Sequence, residues 1–429
     1  MSPPTETTNI YKPIKRIMSR NHIFKPGNIG PVTLRNRTIR SAAFEGMGRD
    51  NGPTDMLLDY HRRVAEGGVG MTTLAYASVC RSGLSFTSQL WLRPEIVDGL
   101  RRITDAIHAA GARASIQIGH CGNMTHRSTA GCIPVGACTG FNLYSPTPVR
   151  GLKVSEIEEI ARDFGRAVHT ARDAGFDCVE VHAGHGYLLS QFLSPYTNRR
   201  RDDFGGSLDN RLRFTRLAME NVMQAAGTDI GVLVKMNMDD GFRSGMHEEE
   251  CLEVARALVD TGAHALVLSG GFVSKAPMYV MRGEMPIHSM THYMRQAWLK
   301  YSVRLFGRMM IPREPFRPLY FLEQARRFRA ALPDATLVYV GGVTQAAELE
   351  RVLGPEGFDF VQMGRALLRD PALVNHIAAG ALGCDCDHVN YCIARMYSRE
   401  MACHKDVYDE LTPGIRREIA AIKRRAAKP

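Results

Sequence analysis

The sequence predicts a (β/α)8 barrel of the TIM type, with a long insertion after the sixth strand and a C-terminal tail. Two observations predict it. Eight short runs rich in apolar and β-branched residues recur along the chain, and segments of helical period lie between them. Several runs are almost continuously apolar, as strands buried on both faces must be. A doubly wound open sheet is the alternative, but no strand–GxGxxG–helix fingerprint accompanies any of the runs.

The strand runs are residues 37–44 (RTIRSAAF), 70–79 (GMTTLAYASV), 112–119 (ARASIQIG), 176–183 (FDCVEVHA), 230–237 (IGVLVKMN), 264–271 (HALVLSGG), 336–342 (TLVYVGG) and 358–364 (FDFVQMG). Between them, residues 155–174 read as a helix opened by a capping-box pair, Ser155 and Glu158. Ile157, Ile160, Ala161, Phe164, Val168 and Ala171 share one face, and Gly175 supplies a left-handed stop. Pro94 marks another helix start, with Ile96, Leu100, Ile103 and Ile107 on one face and Gly111 at the end. The predicted organisation is an N-terminal extension over 1–23, a barrel over 24–380 and a tail over 381–429. The insertion, 272–333, is long enough to be a lid or a packed excursion.

Composition narrows the functional classes. The chain has 429 residues, 45% hydrophobic and 23% charged, the balance of a soluble globular protein. No apolar run approaches the roughly 20 residues that span a bilayer. The opening MSPPTETTNIYKPIKR has no apolar signal core, so a cytoplasmic location is expected. Ten cysteines are too sparse for a disulfide scaffold. The net charge is +10, and residues 281–330 carry ten Lys/Arg against three Glu, a local +7. Such a patch attracts nucleic acid, anionic lipid or acidic small molecules, or is a solvated face. No nucleic-acid motif accompanies it, so nucleic acid is not an expected partner, while weak contact with a membrane surface stays open. Homo-oligomerisation also stays open.

Barrel chemistry sits at the C-terminal ends of strands. Those ends carry Ala42 and Ala43, then Gln117 and His120, then His182, His185 and Tyr187, then Lys235 and Asn237. After the last two strands come Gly341 and Gly342, then Gly364 and Arg365. Backbone N–H groups exposed by glycine, with a guanidinium beside them, suit a phosphate dianion. Gln117 offers a donor and an acceptor to a polar heterocycle edge. Lys235 can place a positive charge beside a group that becomes anionic. A phosphorylated heterocycle with a uracil-like edge points to FMN.

The chain resembles the old yellow enzyme family of FMN-dependent ene-reductases, within the wider NADH:flavin oxidoreductase group. The motifs are LRNRTIRSAAFEG (34–46), HAGHGYLLSQFLSPYTNRRRDDFGGSLDNRLRF (182–214) and MGRALLRDP (363–371), and the likeness runs from about Phe24 to Ala379. It implies noncovalent FMN at the C-terminal mouth, reduced by NADH or NADPH, and an electrophilic alkene as oxidant. It also implies backbone near Ala42 and Ala43 at the reactive edge and Gln117 on the pyrimidine edge. Lys235 would lie near the N1–C2 carbonyl, and Gly341, Gly342, Gly364 and Arg365 on the phosphate. His182 and His185 would bind the substrate oxygen, with Tyr187 as proton donor. A metal reading of the HxxH pair lacks a third ligand and an HExxH pattern, so no metal site is expected. Arg211 and Arg213 read as scaffold.

Two departures matter. Many family members place Thr or Cys against the flavin after the first strand, where this chain has Ala43 and Phe44. The tail holds Cys384, Cys386, Cys392 and Cys403. It resembles the iron–sulfur motif of 2,4-dienoyl-CoA reductases, but Val389 stands near a ligand position, so a degenerate site without a cluster is expected. The sequence also stops short of those enzymes' second flavin and NADPH domains. An iron–sulfur-linked reductase fed by a partner, and a non-catalytic flavin-binding sensor, are the alternatives.

Overall fold

The computed structural model describes residues 22–427 apart from 293, 295, 296 and 397. Nearly all of the predicted extension over 1–23 lies outside the described residues. Eight strands close into one barrel. They are β1 (Thr38–Arg40), β2 (Met71–Ser78), β3 (Arg113–Gly119), β4 (Cys178–His182), β5 (Gly231–Asn237), β6 (Ala265–Ser269), β7 (Leu337–Val340) and β8 (Phe360–Met363). Each falls inside its predicted run. The last strand pairs in parallel with the first, Val361 opposite Thr38 and Met363 opposite Arg40, so no edge remains and the open-sheet alternative fails.

The main outer helices are α1 (Asp55–Glu66), α2 (Val97–Ala109), α3 (Val154–Asp173), α4 (Leu208–Ala226), α5 (Glu248–Asp260), α6 (Leu322–Ala331), α7 (Ala346–Leu353) and α8 (Leu373–Ala378). Gly111 and Gly175 adopt φ of 74° and 82°, the left-handed stops expected of them. The start of α3 needs correction. Its capping carboxylate is Glu156, which accepts from the Lys153 N–H at 2.8 Å, so Ser155 and Glu158 lie inside the helix. Arg150 grips the same carboxylate at 2.7 Å, and this fixes the register. Pro94 opens a single 3-10 turn, Pro94–Ile96, before α2 begins.

Period two sorts each strand into an outer face against the helices and an inner face in the barrel. The inner face is apolar near the strand starts, where Ile39, Met71, Cys178, Leu233, Val267, Val338 and Phe360 form one cluster. A hairpin, Gly27–Ile29 with Val32–Leu34, closes that end with Ile29, Val32 and Leu34. Two residues further along, the inner positions turn polar: Ser41, Gln117, Glu180, Lys235 and Gln362 are all buried. One polar tier on an apolar plug places the chemistry at the C-terminal mouth.

Residues 272–333 contain helices Pro277–Met281, Ile287–His292 and Ala297–Met310, followed by the barrel's own α6. The tail folds back over them. Its helix Pro413–Ala426 offers the Glu418 carboxylate to the N–H groups of His288 (2.7 Å) and Ser289 (2.8 Å). Asp387 is an ion-pair hub, with Lys423 at 2.5 Å and His404 at 3.2 Å. Burial alone would lower the His404 pKa; its partners Asp387 and Cys403 outweigh that and hold it up to about 9. A raised folded pKa stabilises fully below the unfolded value, 6.5, and the gain is lost as pH rises through about 9. His404→Asn should therefore lower Tm most below pH 6.5, with the gap closing towards pH 9. Thermal melts across that range test this. A gap independent of pH would leave His404 a packing residue only.

Candidate active site

Glu180 is the centre of the polar tier. It is fully buried on β4 and accepts from three other strands. Gln117 Nε2 of β3 donates at 2.7 Å and Gln362 Nε2 of β8 at 2.5 Å, and Lys235 Nζ of β5 pairs with it at 2.8 Å. Lys235 also donates to Ser41 Oγ at 3.3 Å, and Ser41 Oγ donates to Gln362 Oε1 at 3.0 Å. Burial pulls the Lys235 pKa down, and the charge of Glu180 partly offsets this. The structure thus brings Gln117 and Lys235 together, as a shared edge would require. Sequence reasoning missed Glu180, Gln362 and Ser41. The signal was available: an ionised side chain on a strand buried on both faces needs a buried partner.

His182 is the next inward residue on β4 and lies opposite Lys235 in register. The chain then turns sharply. His185 and Gly186 both take left-handed φ, 61° and 80°. A Cβ at Gly186 would come within 2.6 Å of the Phe272 ring, so this turn needs glycine twice over. His185 is held by Asn237, whose Oδ1 accepts its backbone N–H at 3.0 Å. The turn puts His182 Nε2 and His185 Nδ1 3.0 Å apart, with His185 Nε2 2.7 Å from Ser269 Oγ. His182 Nδ1 is buried with no hydrogen-bond partner among the described residues.

Tyr187 completes the group. Its ring centroid lies 4.5 Å from that of His182 and 5.1 Å from that of Tyr76, which is itself bonded to Ser85 at 2.6 Å. Burial, then the charge of Lys235, lowers the His185 pKa to about 3. Burial, His185 and Lys235 together take His182 well below its ordinary value. Both imidazoles are neutral at pH 7, and each carries one N–H. His120, buried on β3's end, accepts from the Gly122 N–H at 3.0 Å and contacts Ser82 at 3.1 Å, so it supports the loops rather than joining the pair.

A cleft adjoins the polar tier. Ser41, Ala43 and Gln362 line one part of it, and Gly341, Gly342, Gly364 and Arg365 another. Ala42 precedes Ala43 on the same half-buried loop. Gly341 and Gly342 have φ of 136° and 74°, and a Cβ at Gly342 would meet the Leu319 nitrogen at 2.9 Å. Gly364 faces open space. The Arg365 guanidinium points a donor at Asn390 Oδ1, 2.5 Å away, and lies over the Phe316 ring. These residues fit a phosphorylated flavin, whose phosphate the glycine–arginine end would hold.

The tail cysteines are separate. Cys386, Cys392 and Cys403 line one small pocket with Val389, and Cys384 is not among its walls. Burial raises the pKa of Cys384, Cys386 and Cys392, the last to about 12. Three cysteines and a valine do not supply the four thiolates of an iron–sulfur cluster. Arg211, as expected, is scaffold: it donates to the Leu193 carbonyl and pairs with Glu250 at 2.5 Å.

Residues 22–303 match the NADH:flavin oxidoreductase / NADH oxidase family. The chain belongs to that family. It is 38% identical to 4,4'-dithiodibutanoate disulfide reductase of Rhodococcus erythropolis, over 88% of this chain and 93% of that protein. It is 29% identical to the NADPH dehydrogenase of Listeria welshimeri, over 81% and 92% respectively. The NADH oxidase of Thermoanaerobacter brockii is 28% identical over 82% of this chain but only 50% of its own length. In structure, the chain resembles 2-naphthoyl-CoA reductase with a TM-score of 0.77 at 22% identity, over 93% of this chain and 58% of that one. It also resembles an old yellow enzyme homologue from Zymomonas mobilis, at 0.68 and 21%, over 88% and 96%. These two likenesses show the shared barrel. Family membership makes the protein an NAD(P)H-dependent flavin oxidoreductase. No helix among the described residues is long and apolar enough to cross a membrane.

Arg365→Ala should weaken retention of a flavin phosphate, since a charge-assisted bond contributes ~1.5–3 kcal/mol. Equilibrium dialysis of the apoprotein against FMN measures it; unchanged affinity would move the phosphate elsewhere. Anaerobically purified protein should carry no stoichiometric iron or sulfide, because Val389 supplies no thiolate. About four irons per chain would overturn that.

Proposed function

We propose that the protein binds FMN noncovalently and uses NADH or NADPH to reduce an activated C=C bond, in an enone, nitroalkene or enoyl thioester. The observation that carries this reading is the His182–His185 pair with the Tyr187 ring against it. Gln117 and Lys235 would hold the pyrimidine edge, with Lys235 opposing negative charge there. FMN, once reduced, supplies the hydride.

The histidines hold the substrate oxygen. Their facing nitrogens are 3.0 Å apart, so one carbonyl or nitro oxygen can lie within hydrogen-bond reach of both. Ser269 sets the tautomer. If its hydroxyl donates to His185 Nε2, the proton of His185 sits on Nδ1, facing the substrate. Once the bound oxygen replaces the His182–His185 bond, with the His182 proton on Nε2, both neutral imidazoles beside Lys235 donate to it. Two such bonds draw electron density to the oxygen and leave the β-carbon open to hydride. Negative charge develops at the α-carbon, and Tyr187 gives its phenolic proton there. Solvent restores the tyrosine.

A second reading has its own support, the 38% identity to a disulfide reductase. Hydride then goes to one sulfur of an organic disulfide, the S–S bond breaks, and the other sulfur leaves as thiolate and takes up a proton. Two thiols result. A thiolate with a conjugate-acid pKa near ~8.5 leaves without much help from an acid, so Tyr187 matters less in this reaction.

The readings separate in anaerobic stopped-flow measurements of flavin absorbance. Tyr187→Phe should leave reduction by NAD(P)H unchanged and slow reoxidation by an enone ~10²–10⁴-fold. With 4,4'-dithiodibutanoate the loss should be about tenfold or less. Wild-type reoxidation of the variant by an enone that needs α-protonation would remove Tyr187 as the acid. Wild-type protein that reacts with the disulfide and with no alkene would establish the second reading.

A further inference from the structure

The helix Ala297–Met310 is inverted relative to an ordinary surface helix. Its inward arc carries Lys300, Val303, Arg304 and Gly307. Lys300 Nζ donates to the His292 carbonyl at 2.9 Å, and Arg304 Nε to Thr291 Oγ1 at 2.9 Å. Gly307 lets the helix lie close on Ile287, whose side chain a Cβ would meet at 3.1 Å. The cations therefore fasten the helix to the body, and the apolar residues face out. Trp298, Tyr301, Leu305, Phe306, Met309 and Met310 are 49 to 77% exposed. At 100° per residue they cover an arc of ~180° along a helix of ~21 Å. They are six of the thirteen large apolar side chains that are exposed among the described residues, so the concentration is specific to this helix.

Charge surrounds the apolar face. Arg308 flanks it, 3.7 Å from Glu284, with a side chain 73% exposed. Arg313 follows, with its guanidinium by the Arg425 carbonyl at the end of the basic tail helix Pro413–Ala426. Of the ten Lys/Arg of 281–330, Arg326, Arg327 and Arg329 lie on α6 in pairs with Glu356, Glu248 and Asp359, so the margin of this helix rests on Arg308 and Arg313. A two-fold contact between copies would set two such surfaces against each other, which like charge opposes. A convex apolar helix with Trp and Tyr in its face and a cationic margin suits a lipid headgroup layer.

We propose that this face docks the protein on an anionic lipid surface, with the helix lying in the interfacial plane and Arg308 and Arg313 against the headgroups. The insertion leaves the barrel at the C-terminal end of β6, so the docked face is on the mouth side of the barrel. The reading is independent of which electrophile the enzyme reduces.

Flotation of the full-length protein with vesicles tests it. The protein should float with phosphatidylcholine–phosphatidylglycerol vesicles and not with phosphatidylcholine alone. Binding should fall as salt shortens the Debye length from ~10 Å at 0.1 M to ~3 Å at 1 M. Leu305→Glu with Met309→Glu should cost at least roughly tenfold in partitioning. Both side chains are exposed, so an unchanged melting curve shows that the variant is folded. As a second readout, Trp298 fluorescence should shift to the blue on adding the anionic vesicles, and Trp298→Phe should abolish the shift. Absence of flotation with anionic vesicles overturns the proposal, as does equal flotation of the double variant. A wild-type dimer that the double variant breaks, without vesicle binding, would make the face a contact between copies and likewise overturn it.

Discussion

Glu180 and Lys235 meet at 2.8 Å inside the barrel, both essentially without exposure to water. Two charges in that position are costly to desolvate, and removing either one leaves the other uncompensated, a loss of about 3–5 kcal/mol. Gln117 and Gln362 also donate to the carboxylate, and Ser41 bridges Lys235 to Gln362. Five residues from the ends of β1, β3, β4, β5 and β8 are thereby fixed to one another. Because strand side chains alternate, an inward Glu180 also makes His182 inward. The orientation of the site follows from this one pair. So does part of its electrostatics, since the Lys235 charge helps keep both histidines neutral.

A second constraint is conformational. His185 is a non-glycine residue in left-handed φ, a conformation that costs of order 1 kcal/mol and persists where neighbours over-determine it. Asn237 takes the backbone N–H and Ser269 the ring nitrogen, from the ends of β5 and β6. Those two residues lie inward for the same reason as Lys235. The polar tier below and the turn above are thus one construction. The barrel supplies rigid strand ends, and the turn brings a second imidazole and a phenol back over the first.

The strand pattern was legible because both faces of every barrel strand are buried, which writes near-continuous apolar runs. The strand-end rule then found Gln117, His182, His185 and Lys235. It did not find Glu180, which reads as an isolated charge in FDCVEV until β4 and β5 are paired. The start of α3 was misread because Ser155 and Glu158 have the right spacing, while Arg150, a tertiary partner, selects Glu156. Arg365 was found from its neighbouring glycine, but its contact with Asn390, 25 residues on, depends on how the tail folds. The inverted helix was visible only as composition. Which side of the helix Ala297–Met310 turns inward follows the hydrogen bonds of Lys300 and Arg304.

Asn390 shows how the appended parts are coupled to the barrel. Its Oδ1 meets Arg365 at the glycine–arginine end of the cleft, and its Nδ2 donates to the Arg282 carbonyl at 2.7 Å. One amide therefore links β8's end, the insertion and the tail. The residue before it, Val389, stands where the resemblance would place a cluster ligand, and it is 2% exposed. It packs with Tyr391, Leu411, Ile415, Ile419 and Ile422 in a small core of the tail's own. Burying a valine of this kind contributes about 1.5–3 kcal/mol, and the Asp387 ion pairs close the loop around it. Packing and charge thus order the tail around Asn390, which meets Arg365.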